Sequence, residues 1–120
     1  YDAGGHTIGV TCSKFKDIVP NPWIVESINT LDVWERLKVF LDKADGFLVL
    51  EGGTGTLMEL SSILEMVGKR FIPAKPVLFF KEFWRPVLHI FHRDSKLQQL
   101  ASFCSEINGV PDFFCKHLMM

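Results

Sequence analysis

The stretch LEGGTGTLMEL at residues 50–60 is the part of the sequence that indicates the fold most clearly. An apolar run, FLVL at 47–50, leads directly into three glycines within four positions. Glycine at this density forms either a loose loop or a turn at which a ligand reaches bare backbone. The position between a buried strand and a helix predicts a turn, because ligands of open α/β sheets bind where strands end and helices begin.

The composition predicts one folded domain over residues 1–120 with small-molecule partners. The chain is 48% hydrophobic and 12% aromatic, which suffices for a core, and a homodimer would hide its bulky side chains more fully. Thirteen basic and 14 acidic residues give a net charge of −1 without long blocks of either sign. This balance argues against a nucleic-acid or anionic-membrane surface. No apolar run reaches the roughly 18 residues needed to span a bilayer.

The cysteines and the N-terminus bear on compartment and completeness. Cys12, Cys104 and Cys115 are widely spaced and form no CxxC pair, which predicts free thiols in a cytoplasmic protein and no metal site. The chain opens on YDAGG without an initiator Met, and these residues are typical of the end of a helix. We therefore expect an upstream strand, turn and helix to be missing.

Strand-like and helix-like segments alternate along the chain. Three short runs predict strands, the last two buried on both faces: 7–11, 47–50 and 76–80. Amphipathic patterns predict helices from a Thr30 cap to about 44, from 56 to about 68, at 82–92 and at 97–107. Residues 13–29 read as a polar connection and 109–112 as a turn. The alternation predicts an α/β, Rossmann-like open parallel sheet with helices on both faces.

The glycine turn is a candidate phosphate site. Gly52, Gly53 and Gly55 allow positive φ and place no Cβ in the way, so backbone N–H groups can converge on an anion. The next helix adds the unsatisfied N–H groups and the positive dipole end of its N-terminus. The turn matches neither GxGxxG nor GxxxxGK[ST]. A purely structural joint is the alternative interpretation.

Two charged side chains could supply chemistry beside the turn. The carboxylate of Glu59 suits cleavage of a bond to a ribose phosphate, because the transition state is positive at the sugar. The alternative is a capping box, in which Thr56 caps the helix and Glu59 reaches back to the backbone. Arg36 lies at the edge of the apolar arc of its helix, where it could hold a substrate or serve as a surface arginine.

The turn and the helix before it resemble a known family. GGTGTLME at 52–59 matches GGxGTxxE and is similar to PGGxGTxxE, the signature of the LOG (LONELY GUY) family, also labelled the lysine decarboxylase family. WERLK at 34–38, DGF at 45–47 and FWRP at 83–86 also resemble the family pattern. Glu51 stands where the motif has proline, and its carboxylate should weaken anion binding by repulsion.

The resemblance implies a homodimer that hydrolyses the N-glycosidic bond of a nucleoside 5′-monophosphate to free base and ribose 5-phosphate. It implies that Arg36 and Glu59 form the catalytic pair, without metal or cofactor. It also implies that the phosphate contacts Gly52, Gly53, Thr54, Gly55, Thr56 and Lys38. No lysine stands in a recognisable pyridoxal-phosphate context, so the decarboxylase label has no support in the sequence. A non-catalytic nucleotide or molybdenum-cofactor carrier on the same fold, and a structural dimer, remain the alternatives.

Overall fold

The computed structural model of the chain describes residues 2–14, 21–91 and 93–119. It contains two compact units, Tyr1–Lys43 (the first unit) and Ala44–Met120 (the second unit). All strand pairs are parallel, and one or two helices follow each strand from the second strand onward. The predicted α/β class with open parallel sheets is therefore confirmed, with the strands divided between two sheets. A single domain over 1–120 stays a prediction.

The described residues of the first unit form two parallel strands and a helix. Strand β1 (Ile8–Cys12) pairs with strand β2 (Glu26–Thr30), and helix α1 (Val33–Lys43) follows. The prediction that 13–29 is a connection is wrong at β2. Its sequence, ESINT, contains a single aliphatic residue, so it lacks the apolar signal by which strands are predicted. Residues 15–20 of that connection lie outside the described residues.

Helix α1 is capped by Asp32 instead of the predicted Thr30. Asp32 Oδ1 accepts the Glu35 N–H at 2.8 Å, and Glu35 Oε2 accepts the Leu31 N–H at 2.8 Å. The Thr30 hydroxyl is buried and donates to the Thr11 carbonyl oxygen at 2.7 Å, across the β1–β2 pair. The prediction failed because strand pairing, which the local sequence does not show, engages this hydroxyl.

The second unit is a three-stranded parallel sheet with four helices among its described residues. The strands lie in the order β3 (Phe47–Val49), β4 (Val77–Phe80) and β5 (Ala101–Cys104). Between β3 and β4 lies helix α2 (Thr54–Gly68), and between β4 and β5 lie α3 (Arg85–Ile90) and α4 (Ser95–Leu100). Helix α5 (Gly109–Leu118) follows β5.

Strand β4 is the centre of the core in the second unit. Residues 77–79 are at most 2% exposed, which confirms the prediction of a strand buried on both faces. The same prediction is wrong for β3, in which Leu48 is 42% exposed between two buried neighbours. Within this sheet β3 is an edge strand, so β4 covers it on one side only.

The C-terminal half of the second unit differs from its prediction. Residues 97–107, predicted as a helix, contain the end of α4 and then β5, because Phe103 of β5 stacks on Phe79 of β4 at 5.2 Å between ring centroids. Residues 109–112, predicted as a turn, form the first turn of α5. The helix predicted at 82–92 is shorter than expected, spanning Arg85–Ile90, and residue 92 lies outside the described residues.

Membrane spans and disulfides are both missing from residues 2–14, 21–91 and 93–119. No helix there combines the length and the apolar character that a membrane crossing requires. Cys12, Cys104 and Cys115 are unpaired, which confirms the predicted free thiols.

Gly46 allows helix α5 to pack closely in the second unit, and Gly46→Ala tests this contact. A Cβ at residue 46 would lie 2.7 Å from the Phe114 ring and 3.2 Å from Pro76. Because overpacking displaces the ring, the free energy of unfolding should fall by about 1–3 kcal/mol in urea denaturation. Gly5→Ala is the control, since a Cβ there would meet nothing within 4 Å. Equal unfolding free energies for the two variants would contradict this packing.

Candidate functional site

The glycine turn lies at the carboxyl end of β3, the edge at which α/β sheets bind ligands. Strand β3 ends at Val49, and helix α2 begins at Thr54. The intervening residues 50–53 are exposed, so their backbone is accessible from solvent. The prediction of a strand, a turn and a helix over this stretch is confirmed.

The three glycines meet different steric requirements. A Cβ at Gly52 would lie 2.2 Å from Thr56 Oγ1, so this glycine lets the Thr56 side chain pack on the turn. At Gly53 and Gly55 a Cβ would meet nothing within 4 Å. None of the three has a positive φ, so the turn does not use the left-handed backbone that glycine allows. The bare backbone at Gly53 and Gly55 has no explanation in the packing of the described chain.

Helix α2 begins at a glycine. Its N-cap is Gly53, which has φ −102° and no side chain with which to cap the helix. The first intrahelical bond runs from the Leu57 N–H to the Gly53 carbonyl oxygen at 3.0 Å. The N–H groups of the three residues before Leu57 thus form the end of the helix, and no acidic residue lies in that turn. This end carries the positive pole of the helix dipole.

The predicted capping box at the start of α2 is wrong. The helix begins at Thr54, so Thr56 is its third residue and not its cap. Glu59 then lies in the second turn of the helix, where its side chain is half-buried. Helix capping by Thr56 and Glu59 therefore does not explain a carboxylate at this position.

The charge next to the turn in sequence is the carboxylate of Glu51. Glu51 is exposed and directly precedes Gly52. Water and salt screen an exposed charge, so its repulsion of an anion at the turn is reduced. No group of three or more His, Cys, Asp or Glu side chains that could hold a metal ion occurs among the described residues.

Trp84 holds the end of the strand from which the turn departs. Its indole Nε1 donates to the Leu50 carbonyl oxygen at 2.9 Å, and the residue is only 5% exposed. The sequence indicates residues 83–86 only through the family resemblance. The contact itself could not be predicted from local patterns, because its partners are 34 residues apart.

Arg36 and Lys38 belong to helix α1 of the first unit. Arg36 is half-buried; its Nε donates to the Val10 carbonyl oxygen at 3.0 Å, and its Cζ lies 4.7 Å from the centroid of the Phe40 ring. Lys38 is exposed. The glycine turn and Glu59 belong to the second unit, so the pairing of Arg36 with Glu59 stays a prediction.

An apolar groove lies on a different face of α2 from Glu59. It encloses about 430 Å³, and most of its lining is apolar: Leu57, Leu60, Leu64, Val87, Leu88 and Phe91. At 3.6 residues per turn, Glu59 lies about 200° around the helix from Leu57. The groove and the predicted carboxylate site are therefore separate features of the second unit.

A family match covers most of the chain. The sequence model of the family described as "Possible lysine decarboxylase" matches residues 1–109, a range that contains the glycine turn, Arg36 and Glu59. No curated protein matches the chain.

Alanine substitutions at Gly52 and Gly55 test the different roles of the two glycines. Gly52→Ala should lower the free energy of unfolding by about 1–3 kcal/mol, because its Cβ would collide with Thr56. Gly55→Ala should raise it by up to about 1 kcal/mol, since alanine is the better helix former where there is room for a Cβ. Urea unfolding measures both values. A Gly55→Ala variant as unstable as Gly52→Ala would show that Gly55 is confined.

Proposed function

The chain belongs to the family described as "Possible lysine decarboxylase", and we propose that it hydrolyses the N-glycosidic bond of a nucleoside 5′-monophosphate to free base and ribose 5-phosphate. One observation carries this proposal: helix α2 starts at a glycine N-cap, and the described packing requires a glycine at neither residue 53 nor residue 55. A ligand that approaches bare backbone accounts for Gly53 and Gly55. An anion is the ligand that a helix N-terminus favours.

In this proposal the phosphate of the nucleotide binds across the first turn of α2. The N–H groups of Thr54, Gly55 and Thr56 supply backbone donors, because they precede the first intrahelical hydrogen bond. The Thr56 hydroxyl, which packs against Gly52, adds a side-chain donor. Lys38 adds positive charge, a role taken from the family resemblance. The phosphate thereby anchors the ribose for the reaction.

Glu59 and Arg36 carry the chemistry in this proposal. Breaking the bond between C1′ and the base nitrogen develops positive charge on the ribose, which the Glu59 carboxylate stabilises. The same carboxylate accepts a proton from the attacking water, whose oxygen bonds to C1′ while the leaving base takes up a proton. Arg36 orients the substrate, and its guanidinium contacts the Val10 carbonyl oxygen and the Phe40 ring.

The family description names a different reaction, the decarboxylation of lysine. That chemistry depends on pyridoxal phosphate bound to a lysine of the enzyme. No lysine of the sequence stands in a recognisable context for that cofactor. The proposal therefore assigns the turn to a nucleotide phosphate.

Glu59→Gln tests the catalytic carboxylate. Glutamine keeps the shape of the side chain without its charge or basicity, so adenine release from AMP should slow by at least about 10²-fold. Chromatography of released adenine measures the rate. Calorimetric titration with AMP should show that the variant still binds the nucleotide.

Glu65→Gln is the matched control for that experiment. Glu65 lies on the same helix, is about half exposed and pairs with Lys69 at the opposite end from the turn. Its substitution should leave the rate unchanged. Equal rates for the two variants would exclude Glu59 from the chemistry. A wild-type chain that binds AMP and releases no adenine would instead be a binding protein and not a hydrolase.

Glu51→Gln tests whether an anion binds at the turn. Removing this exposed negative charge should tighten binding of ribose 5-phosphate by about twofold to fivefold at low salt, since exposed charge pairs contribute less than about 1 kcal/mol. The gain should shrink as ionic strength rises. Calorimetric titration at two salt concentrations measures both effects. Unchanged or weaker binding at low salt would argue against an anion beside Glu51.

A further inference from the structure

We infer that Trp84 is a positioning residue for the phosphate-binding turn: its buried indole fixes the residue from which the glycine backbone departs. The part of this inference that says the turn binds a phosphate rests on the proposed function. The fixing of the turn is a property of the chain without ligand, so it can be tested separately.

The indole bond lies where the sheet stops holding the chain. Pairing between β3 and β4 ends at Val49 and Phe79, so Leu50 lies beyond the last residue pair. At that point Trp84 Nε1 donates to the Leu50 carbonyl oxygen at 2.9 Å. The bond joins the chain before the turn to the start of α3. Hydrogen bonds are directional, so this bond restricts the orientation of the Leu50 carbonyl group as well as its distance from Trp84.

Trp84 is itself held firmly. It is 5% exposed, and the Phe83 ring packs edge-on against it, with 5.0 Å between ring centroids. Its carbonyl oxygen accepts the Leu88 N–H at 3.1 Å as α3 begins. The neighbouring Arg85 hydrogen-bonds Glu82 and holds the pKa of the Glu82 carboxyl below its usual value, which keeps this pair charged around the start of the helix.

The turn is thus in contact with side chains at Leu50 and Gly52, whereas its glycines at 53 and 55 carry no side chain of their own. Leu50 is held by Trp84, and Gly52 is held against the Thr56 side chain. Gly53 and Gly55 have no side chain with which to fix their own position, since glycine is the most mobile residue of the backbone. Donors that are to meet a phosphate must be placed to a fraction of an ångström, because small displacements weaken directional bonds strongly. The indole bond supplies that placement from outside the turn.

Trp84→Phe removes the indole N–H and keeps an aromatic ring. Val67→Ala is the control for lost stability: Val67 is 4% exposed and lies about 20 Å from Thr54 along α2, at 1.5 Å per residue. At a temperature at which both variants are folded, Trp84→Phe should weaken AMP binding at least about fivefold, and Val67→Ala by less than about twofold. If the wild-type chain binds AMP, equal AMP affinity in the two variants overturns the inference.

Backbone amide resonances of the ligand-free variants distinguish a displaced turn from a general loss of stability, because a general loss of stability does not shift the resonances of the folded state. The amides of Gly52, Gly53 and Gly55 should shift in Trp84→Phe and stay in place in Val67→Ala. Unmoved glycine amides overturn the inference whatever the turn binds. The glycine amides could shift in Trp84→Phe although the wild-type chain binds neither AMP nor ribose 5-phosphate. That result would support the fixing of the turn by Trp84 and would overturn the proposed function.

The wild-type chain allows the same test if Trp84→Phe does not fold. Trp23 and Trp34 are 56% and 73% exposed and serve as internal references. The indole N–H of Trp84 should exchange with solvent at least about tenfold more slowly than theirs, because it is buried and hydrogen-bonded. Exchange as fast as that of the two exposed indoles overturns the inference.

Discussion

Backbone N–H groups at the start of helix α2 need partners, and the N-cap residue of the helix, Gly53, has no side chain that could supply one. The rest of the second unit determines where this helix end lies. The buried residues 77–79 fix β4, pairing with β4 fixes β3, and the indole of Trp84 holds the chain just beyond β3. The sheet therefore presents the positively polarised end of α2 at the edge where α/β sheets bind ligands, and the proposed chemistry depends on that placement.

Local sequence patterns were sufficient where burial is continuous, and they failed where pairing decides the structure. The apolar run at 76–80 predicted β4, and the amphipathic patterns located most helices. Strand β2 was missed because ESINT is mostly polar and forms by pairing with β1, with the Thr30 hydroxyl bound to Thr11. Strand β5 was predicted as a helix because the local sequence gives no sign that Phe103 stacks on Phe79. Both failures concern contacts between residues distant in the sequence.

In the candidate site, too, the sequence predicted local features, and it did not predict contacts between residues distant in the chain. The position of the glycine turn followed from the sequence, but the reason for its glycines did not: none has a positive φ, and Gly52 makes room for Thr56. With Thr56 inside the helix, a capping box no longer explains Glu59, and its catalytic role stays a proposal. The hydrogen bond between Trp84 and Leu50 could be found only from the fold. The partnership of Arg36 with Glu59 still depends on the family resemblance, because the two residues belong to different units.

We propose that the start of α2 binds the phosphate of a ribose phosphate. A titration of the wild-type chain with ribose 5-phosphate, followed through its backbone amide resonances, tests this binding at the residues concerned. The amides of Thr54, Gly55 and Thr56 should shift together and saturate with one dissociation constant. No shift at saturating ligand, or shifts confined to the groove lined by Leu57 and Phe91, would contradict it.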